Sequence, residues 1–459
     1  MVDIIITLAE AFRAQHKQLY IVGGTVRDGL LQRGKSSDAD LATDAKPDEI
    51  KQIVAPTRPG AVVLVGERFG TVRLHYDNEI IEITTFRSEQ YNTDSRKPEV
   101  CFGTKLEDDL LRRDFTINAM ARHPLTGHIS DPFGGKQDLE AHILRAVGNE
   151  PDKRFDEDPL RLLRAVRFAA QLDFTIEPET RRSIIRQAHK LQKISRERIR
   201  DEMNKLLLSE HPAKGLDVLV ELGLMQWIVP EVLELRGVSQ AATGSARTIH
   251  SKDVYAHVLR VVQRSSPRLV CRWSALLHDI AKPRTRTVED GKVHFFGHED
   301  VGAHMARDIL KRLHFDRDFI ESVSRIVQLH MRANSYESDW TDGAVRRLML
   351  YSGDDLPDLL DLSRADITSY RQDKVARAEA QVAELAERCQ HLKEEAERVP
   401  IKSPLDGNEL MALFGRPPGP WLRPIKEHLL SLVIDGILSP DDKEQAAKIA
   451  KSFMEEHNL

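Results

Sequence analysis

The stretch LYIVGGTVRDGLL, residues 19–31, places two glycines directly after an apolar run. The run Leu19–Val22 predicts a strand, and the glycines predict a tight turn from that strand into a helix. At such a turn, the backbone N–H groups of the helix N-terminus can bind an anion such as a phosphate. Gly23 and Gly24 are therefore candidate phosphate-binding residues, and Arg27 adds a cation one turn later.

A pair of aspartates follows in SSDADLAT, residues 36–43. Asp38 and Asp40 are two residues apart, so on an extended strand both carboxylates point to one face. Two like charges so close favour a cation between them, and Mg²⁺ takes its ligands from carboxylates and substrate phosphates. Alone, such a pair more often marks an acidic turn, but the glycine turn upstream favours a metal site. A phosphate-binding turn beside a carboxylate pair is the arrangement of a two-metal nucleotidyl transfer site.

Such a site usually has a third carboxylate on a neighbouring strand. The stretch NEIIEITTFR, residues 78–87, offers two candidates. Glu79 is at the edge of the predicted strand Glu79–Thr84, whereas Glu82 is inside it. We favour Glu82 as the third catalytic carboxylate; the alternative is a solvated strand residue. Further strands are predicted at Ala61–Val65 and Thr71–Tyr76.

The composition describes a soluble protein of several domains. The 459 residues are 41% hydrophobic and 30% charged, and this length suggests about two to four domains. No apolar run approaches the ~18 residues of a membrane span, so no membrane partner is expected. Three widely spaced cysteines fit a reducing cytosol, and we expect a cytoplasmic location. The net charge of −5 argues against indiscriminate coating of nucleic acid but permits a local basic groove.

Six motifs together carry a resemblance to a known family. They are GGTVRD, DADLAT, EITTFR, RRDFTINAMA, DPFGGKQDL and EDPLRLLRAVRFAAQLDF, in order between Leu19 and about Leu208. This set resembles the bacterial class II tRNA nucleotidyltransferase and poly(A) polymerase family, which has a polymerase-β-like head. The family adds C, C and A to the 3′ end of tRNA from CTP and ATP.

The resemblance implies roles for individual residues. It implies Mg²⁺ at Asp38 and Asp40. It also implies a nucleotide-binding site, formed by Gly23, Gly24, Arg27, Arg112, Arg113, Asp114, Asp158, Arg161, Arg164 and Arg167.

Within that set, Asp158 and Arg161 resemble the amino-acid template for the incoming base. They are three residues apart, so they are expected to share a helix face. A carboxylate accepts from the amino group that cytosine and adenine both carry, and a guanidinium donates to ring nitrogen or carbonyl acceptors. One such pair can therefore accept C and A and reject U and G. The alternative is a surface ion pair, which is common at this spacing.

The loop between EITTFR and RRD departs from the family pattern. Members that add the terminal A usually carry an acidic residue there, followed three positions later by arginine. Here Asp94 is followed by Lys97. The full length of the loop favours A addition, but an ammonium does not reproduce the planar fork of arginine. Addition of CC only or of A only therefore remains an alternative.

A basic segment follows in residues 180–207, where basic and apolar residues alternate at helical spacing. One face can pack while the other contacts RNA phosphates, which position an RNA without reading its sequence. The alternative is a solvated helix face. The candidate tRNA-binding residues are Arg186, Lys190, Lys193, Arg196 and Arg198.

A second candidate metal site comes from an ordered set of histidines and aspartates. The set resembles the HD phosphohydrolase domain and consists of His257, His278, Asp279, His298, His330 and Asp366. Imidazole with carboxylate favours a transition metal such as Ni²⁺, Mn²⁺, Fe²⁺ or Zn²⁺. The expected chemistry is hydrolysis of a phosphomonoester or a 2′,3′-cyclic phosphate by a metal-activated water.

These observations predict an α+β protein. A small polymerase-β-like nucleotidyltransferase head of mixed sheet and helices is followed by an all-α neck, HD body and tail. The predicted segments are 1–150 (head), 151–245 (neck), 246–370 (HD body) and 371–459 (strut and tail).

The predicted function is CCA addition to tRNA, with phosphohydrolase activity in the HD domain as a second activity. A poly(A) polymerase is the nearest alternative; the tail lacks the dense basic block that would favour it. An HD phosphohydrolase with an RNA-binding head is the alternative from another class, and the intact pair Asp38 and Asp40 argues against it.

Overall fold

The computed structural model describes most of the chain as two compact units. The described residues are 1–33, 38–65, 70–77, 79–90, 99–103, 105–239, 253–290, 292–367, 372–398, 402–435 and 437–457. The units are Met1–Pro230 and Glu231–Leu459. The four segments predicted from the sequence are finer than this division and stay a prediction.

The first unit contains a seven-stranded sheet. Its strands are β1 (Leu19–Val22), β2 (Asp38–Thr43), β3 (Ala61–Val65), β4 (Thr71–Tyr76), β5 (Glu79–Thr85), Ala121–Arg122 and Ile129–Ser130. The order is β3-β4-β5-β2-β1, then the two short strands in sequence order. Strands β2 and β5 are parallel, and the other neighbours are antiparallel. The four strands predicted from the sequence are confirmed, although β5 extends one residue further.

Alternation along the strands determines which face of the sheet is buried. In β4 and β5 the buried side chains include Val72, Leu74, Ile81 and Ile83, which is the period of two expected for a sheet with one packed face. They form a core with apolar residues of the helices Val2–Ala14 and Pro47–Val54. The other face is left for polar residues such as Glu82.

The rest of the first unit is mainly helical. Its other helices are Gly24–Leu30, Leu106–Leu111, Gly135–Glu140, Pro151–Glu157, Leu160–Leu172, Pro178–Gln187, Arg196–Leu207 and Pro212–Glu221. Leu160–Leu172 is buried on most of its surface and packs against Arg196–Leu207 and Pro212–Glu221. The predicted neck is not purely helical, because Thr175–Ile176 pairs in parallel with Ile143–Leu144. A separate hairpin joins Arg87–Gln90 to Glu99–Phe102.

The second unit is a helical body with one β-hairpin. Its helices are Glu231–Glu234, Val254–Arg264, Leu269–Leu277, Lys282–Thr285, His298–Arg312, Arg317–Asn334, Asp342–Ser352, Leu356–Asp366, Gln372–Arg398, Gly407–Phe414, Leu422–Ile434 and Lys443–His457. The hairpin Thr287–Glu289 and Lys292–His294 corrects the expectation of an all-α body. The α+β class itself is confirmed. Within the described ranges, no helix combines the length and apolarity needed to cross a membrane.

Candidate functional site

The three predicted carboxylates lie on two adjacent parallel strands. Asp40 on β2 is in register with Glu82 on β5. Asp38 and Asp40 are both exposed while Ala39 between them is buried, so the two aspartates share one face. Partial dehydration by the surrounding protein raises the pKa of Asp40; Arg113 opposes this effect, and the nearby charges of Glu82 and Asp38 add to it. Such a concentration of carboxylate oxygens fits the ligand preference of Mg²⁺.

Glu82 and Glu79 differ in their surroundings. Oε1 of Glu82 accepts hydrogen bonds from Nε and Nη2 of Arg73 on β4, at 2.9 and 2.7 Å. Glu79, at the start of β5, pairs with the N-terminal amine of Met1. The structure therefore places Glu82, and not Glu79, beside Asp40.

The glycine turn after β1 contacts this carboxylate pair. Gly23 has φ of +68°, a backbone conformation that favours glycine. A Cβ there would lie 2.8 Å from Nη1 of Arg113 and 3.8 Å from Oδ2 of Asp40. Gly24 begins the helix Gly24–Leu30. The turn thus brings backbone N–H groups close to Asp40 and Arg113, as expected for a phosphate-binding turn.

Arg27 on that helix is buried and held in place by two neighbours. Its Nε and Nη2 donate to the carboxylate of Asp28 at 2.8 and 2.9 Å, and its Nη1 donates to Oδ1 of Asn118 at 2.7 Å. Asn118 also donates from Nδ2 to Oδ1 of Asp114, at 3.0 Å. Sequence reasoning quoted Asn118 within RRDFTINAMA but did not single it out.

The two consecutive arginines are oriented by one buried aspartate. Asp109 accepts from Nε and Nη2 of Arg112 at 2.9 and 2.7 Å, and from Nη2 of Arg113 at 3.1 Å. Their positive charges overcome the effect of burial and lower the pKa of Asp109. Sequence reasoning missed Asp109, although its spacing of three and four residues from the arginines is a helical-neighbour signal.

Asp114 forms a buried ion pair with Arg164. Nε and Nη2 of Arg164 donate to Oδ2 of Asp114 at 2.8 and 2.5 Å. Burial alone would raise the pKa of Asp114, but the charge of Arg164 and the hydrogen bonds from Asn118 and Arg164 lower it to about 2. The carboxylate is therefore ionised at neutral pH.

These groups line one cavity of about 440 Å³ in the first unit. Its lining residues are Gly23, Gly24, Arg27, Asp40, Arg112, Arg113, Asp114, Asn118, Asp158, Leu160, Arg161, Arg164, Phe168 and Arg198. Nine of the ten predicted nucleotide-binding residues are among them, together with Asp40. Asp38, Glu82 and Arg167 are not lining residues. Leu160 and Phe168 were not predicted, and Arg198 was assigned to RNA binding instead.

The predicted base template is arranged differently from the expectation. Asp158 has extended backbone and precedes the helix Leu160–Leu172, because Pro159 begins a new helical segment. Asp158 and Arg161 therefore do not share a helix face. Nη1 of Arg161 donates to Oε2 of Glu157 at 2.9 Å, and its Nη2 donates to the Arg112 carbonyl at 2.8 Å. The guanidinium next to Asp158 is that of Arg198, whose Nη2 donates to Oδ2 of Asp158 at 2.9 Å.

Phe168 lines the cavity and lies close to three arginines. The guanidinium carbons of Arg27, Arg164 and Arg167 lie 5.1, 5.3 and 4.2 Å from its ring centroid, within range of cation–π attraction. Arg167 also pairs with Glu202 at 3.0 Å. Burial lowers the pKa of Arg167 to about 10, so it stays charged at neutral pH.

Most of the predicted RNA-binding residues are paired within the protein. Arg186 donates to Asp152 and Glu179, Lys190 contacts Asp156, and Arg196 donates to the Trp227 carbonyl at 3.0 Å. Lys193 is exposed. The segment is also two helices joined by the 3₁₀ turn Ala188–Lys193, so the basic residues do not form one continuous helix face. The loop residues Asp94 and Lys97 lie outside the described residues.

In the second unit, all six predicted histidines and aspartates converge. They come from four helices and from the turn after Leu269–Leu277, and only Asp366 is not fully buried. Their ligand atoms form two groups, His257 with His278 and Asp366, and Asp279 with His298 and His330, each within 4.8 Å. Oδ2 of Asp279 also lies 3.4 Å from His257 and 3.3 Å from His278, while its Oδ1 lies 3.5 Å from His298. Asp279 therefore faces both groups.

The hydrogen bonds of three histidines orient their rings toward this centre. The Nδ1 atoms of His278, His298 and His330 lie 2.9, 2.7 and 2.6 Å from the backbone carbonyls of Ala275, Phe295 and Val327. A carbonyl only accepts, so each Nδ1 carries a proton, and in the neutral ring each Nε2 presents a lone pair.

Three buried ligand atoms at this centre have no hydrogen-bond partner in the described part of the chain. They are Oδ1 of Asp279 and the Nε2 atoms of His298 and His330. Buried polar atoms normally have a hydrogen-bond partner. These three atoms, which can donate a lone pair to a metal, therefore fit the coordination of a metal ion. His257, by contrast, lies 2.9 Å from Oδ1 of Asp366.

Three family models match successive parts of the chain. The model of the poly A polymerase head domain matches residues 19–145, that of a probable RNA- and SrmB-binding site of polymerase A matches 173–235, and that of the HD domain matches 247–371. An A-adding tRNA nucleotidyltransferase of Deinococcus radiodurans is 34% identical over 415 residues, which are 87% of this chain and 88% of that protein. The chain belongs to the tRNA nucleotidyltransferase family.

Other relatives of this chain match over a shorter stretch. CCA-adding enzymes of Lactobacillus johnsonii and Bacillus subtilis are 47% and 43% identical over 210 residues, which are 46% of the chain. That alignment covers 51% of each relative, so the chain spans about half the length of these curated relatives.

Solved structures share the fold of this chain. The Bacillus stearothermophilus CCA-adding enzyme in complex with CTP is similar with a TM-score of 0.68 at 26% identity, over 98% of both chains. The Thermotoga maritima CCA-adding enzyme complexed with tRNA has a TM-score of 0.56 at 19% identity, which shows the fold alone. Nucleotidyltransferase and HD domains imply the use of divalent metals, and the two groups of histidines and aspartates in the second unit could hold a metal ion.

Proposed function

We propose that this protein adds C, C and A to the 3′ end of tRNA, using CTP and ATP. The observation that carries the proposal is the single cavity in which the glycine turn, Asp40 and the Asp114–Arg164 pair meet. A nucleoside triphosphate needs these groups together: N–H donors and cations for its phosphates, and a carboxylate site for its metal. The CCA-adding relatives support the choice of tRNA.

The residues of the cavity have distinct roles in this mechanism. The N–H groups at Gly23 and Gly24 and the guanidinium groups of Arg112 and Arg113 bind the triphosphate and fix its orientation. Mg²⁺ held by Asp38 and Asp40 would activate the 3′-hydroxyl and neutralise charge on the triphosphate. No covalent enzyme intermediate is required.

We assign selection of the base to Asp158 and the arginines near it in the cavity. The Asp158 carboxylate can accept from the amino group shared by cytosine and adenine. Because Arg198 is the guanidinium bonded to Asp158, it is a second candidate donor beside Arg161. Asp158→Asn should allow UTP to be incorporated, because an amide both donates and accepts; incorporation of CTP and ATP alone would remove Asp158 from this role.

Addition of A alone is a second candidate, favoured by one observation. A relative that matches over 88% of its own length is an A-adding tRNA nucleotidyltransferase. The test uses tRNA that lacks its last three, two or one nucleotides, with CTP and ATP singly and together. Three added nucleotides support CCA addition, A on the last substrate alone supports A addition, and long A tracts would identify a poly(A) polymerase.

We further propose that six residues of the second unit hold a transition metal and that this site hydrolyses phosphate esters. They are called the HD centre here: His257, His278, Asp279, His298, His330 and Asp366. The bound metal would supply an activated water. Lys282, whose Nζ lies 2.7 Å from Oδ2 of Asp279, orients that carboxylate and adds a positive charge for the phosphate. A cytoplasmic location remains a prediction.

The two proposed activities can be separated by one variant. His278→Ala/Asp279→Ala should contain less metal by elemental analysis and lose hydrolysis of 2′,3′-cyclic phosphates, yet keep nucleotide addition. Equal hydrolysis and equal metal content in wild type and variant would dismiss the HD site. Hydrolysis without any nucleotide addition by the wild type would instead favour a phosphohydrolase with an RNA-binding head.

A further inference from the structure

A stacked pair of aromatic rings, one of them exposed, lies close along the chain to a residue of the HD centre. The Phe296 residue is 67% exposed. Its ring is stacked on that of His294, with centroids 4.8 Å apart and an angle of 10° between the planes. Single exposed apolar residues are common on protein surfaces. Here, however, the His294 ring covers one face of the phenyl ring, and the high exposure leaves the rest open to solvent.

The backbone connects this pair directly to a metal-ligand candidate. Phe296 lies between the hairpin strand Lys292–His294 and the helix His298–Arg312. It precedes His298 by two residues, so their Cα atoms are at most about 7 Å apart. Phe295, the preceding residue, contacts two residues of this region. Its carbonyl accepts a hydrogen bond from Nδ1 of His298, and its ring lies 5.5 Å from Nζ of Lys282.

A flat, exposed aromatic face beside a phosphate-ester site matches one part of a nucleotide. Every nucleobase has a π-face, and stacking of a base on an aromatic side chain stabilises binding whatever the base. A sugar phosphate or a simple phosphomonoester has no such face.

We propose that Phe296, supported by His294, is a stacking platform for the nucleobase of the HD site's substrate. The site therefore takes nucleotides or RNA 3′ ends that carry a phosphate ester, in preference to phosphate esters without a base. This inference rests on the proposed hydrolase function and names its substrate class.

The test compares two substrates and three variants of the full-length, metal-loaded protein. The substrates are adenosine 2′,3′-cyclic phosphate and methyl riboside 2′,3′-cyclic phosphate, which lacks a base. Phe296→Ala should raise KM for the adenosine ester about 5- to 150-fold, the loss expected for one base–aromatic stack. Its kcat, its metal content and its activity on the base-free ester should stay within about twofold of wild type.

Two further variants serve as controls. Phe296→Tyr keeps the ring and should restore KM. Val288→Ala removes a side chain of similar exposure, 55%, from the same hairpin and should leave both substrates unaffected. Calorimetric titration with adenosine 2′-monophosphate, compared with inorganic phosphate, gives a binding readout that does not depend on turnover.

The outcomes distinguish this inference from the proposed function. Equal kcat/KM for both esters in wild type, unchanged in Phe296→Ala, would overturn the platform while the hydrolase stands. If wild type cleaves neither ester, the hydrolase fails, and calorimetry alone decides the platform. Weaker nucleotide binding by Phe296→Ala, with phosphate binding unchanged, would then support it, and equal binding would overturn it.

Discussion

The backbone at Gly23 passes so close to Arg113 that a Cβ at this position would lie 2.8 Å from Nη1 of the arginine. Because Asp109 holds Arg113 from its other side, the guanidinium has little freedom to move away. The glycine turn and the arginine pair therefore form one rigid unit beside Asp40, and we propose that this unit binds the triphosphate.

Gly23→Ala should impair nucleotide binding more than it impairs folding. The positive φ costs about 1–2 kcal/mol for a residue with a Cβ, and the close contact displaces Arg113. We expect kcat/KM for CTP and ATP to fall by at least about tenfold, equivalent to about 1.4 kcal/mol.

Gly127→Ala is the matched control for this variant. Gly127 has φ of +71° and open space around its Cβ position, so it should lose similar stability in urea unfolding while retaining kcat/KM. Equal kinetics of the two variants would contradict the role given to the Gly23–Arg113 contact.

Asp114 should contribute stability that depends on pH in a defined window. Its folded pKa of about 2 lies below the ordinary value of 3.8, so the contribution is complete above about pH 4 and is lost as the pH falls toward 2. This lowering of the pKa corresponds to roughly 2 kcal/mol of stability. The free energy of unfolding of Asp114→Asn should therefore lie below that of wild type at pH 7 and approach it near pH 3. A difference that is independent of pH between 7 and 3 would count against the ion pair with Arg164.

Two basic residues of the predicted RNA-binding segment should differ in their effect on tRNA binding. Lys193 is exposed, whereas Arg186 already pairs with Asp152 and Glu179. If Lys193 contacts a phosphate, Lys193→Gln should weaken tRNA binding and reduce the slope of log K against log salt by about 1. Arg186→Gln should change the slope less. Fluorescence anisotropy at several salt concentrations measures both, and the reverse ranking would refute the assignment.

Local patterns predicted a large part of the fold and of both sites. The strands β1, β3 and β4 could be predicted because alternation and turn residues are local signals. The HD set could be proposed because its histidines and aspartates occur in a characteristic order along the sequence. The contact of Asn118 with Arg27 could not be predicted, because it is tertiary. Asp109 was missed although its contacts with Arg112 and Arg113 are local. Asp158 left the expected helix because Pro159 starts a new one. The ion pairs of Arg186 and Lys190 could not be predicted, because their partners Asp152 and Asp156 come from another helix.

The central claim is that nucleotidyl transfer takes place at the carboxylates of β2. Asp40→Asn, measured for CTP and ATP incorporation into tRNA that lacks its 3′ end, tests it most directly, with the exposed Asp48→Asn as control. We predict a fall of at least about 1000-fold in the rate of addition by Asp40→Asn, equivalent to about 4 kcal/mol, with tRNA affinity within about threefold of wild type. Substantial incorporation by Asp40→Asn, at a rate near that of Asp48→Asn, would contradict the account.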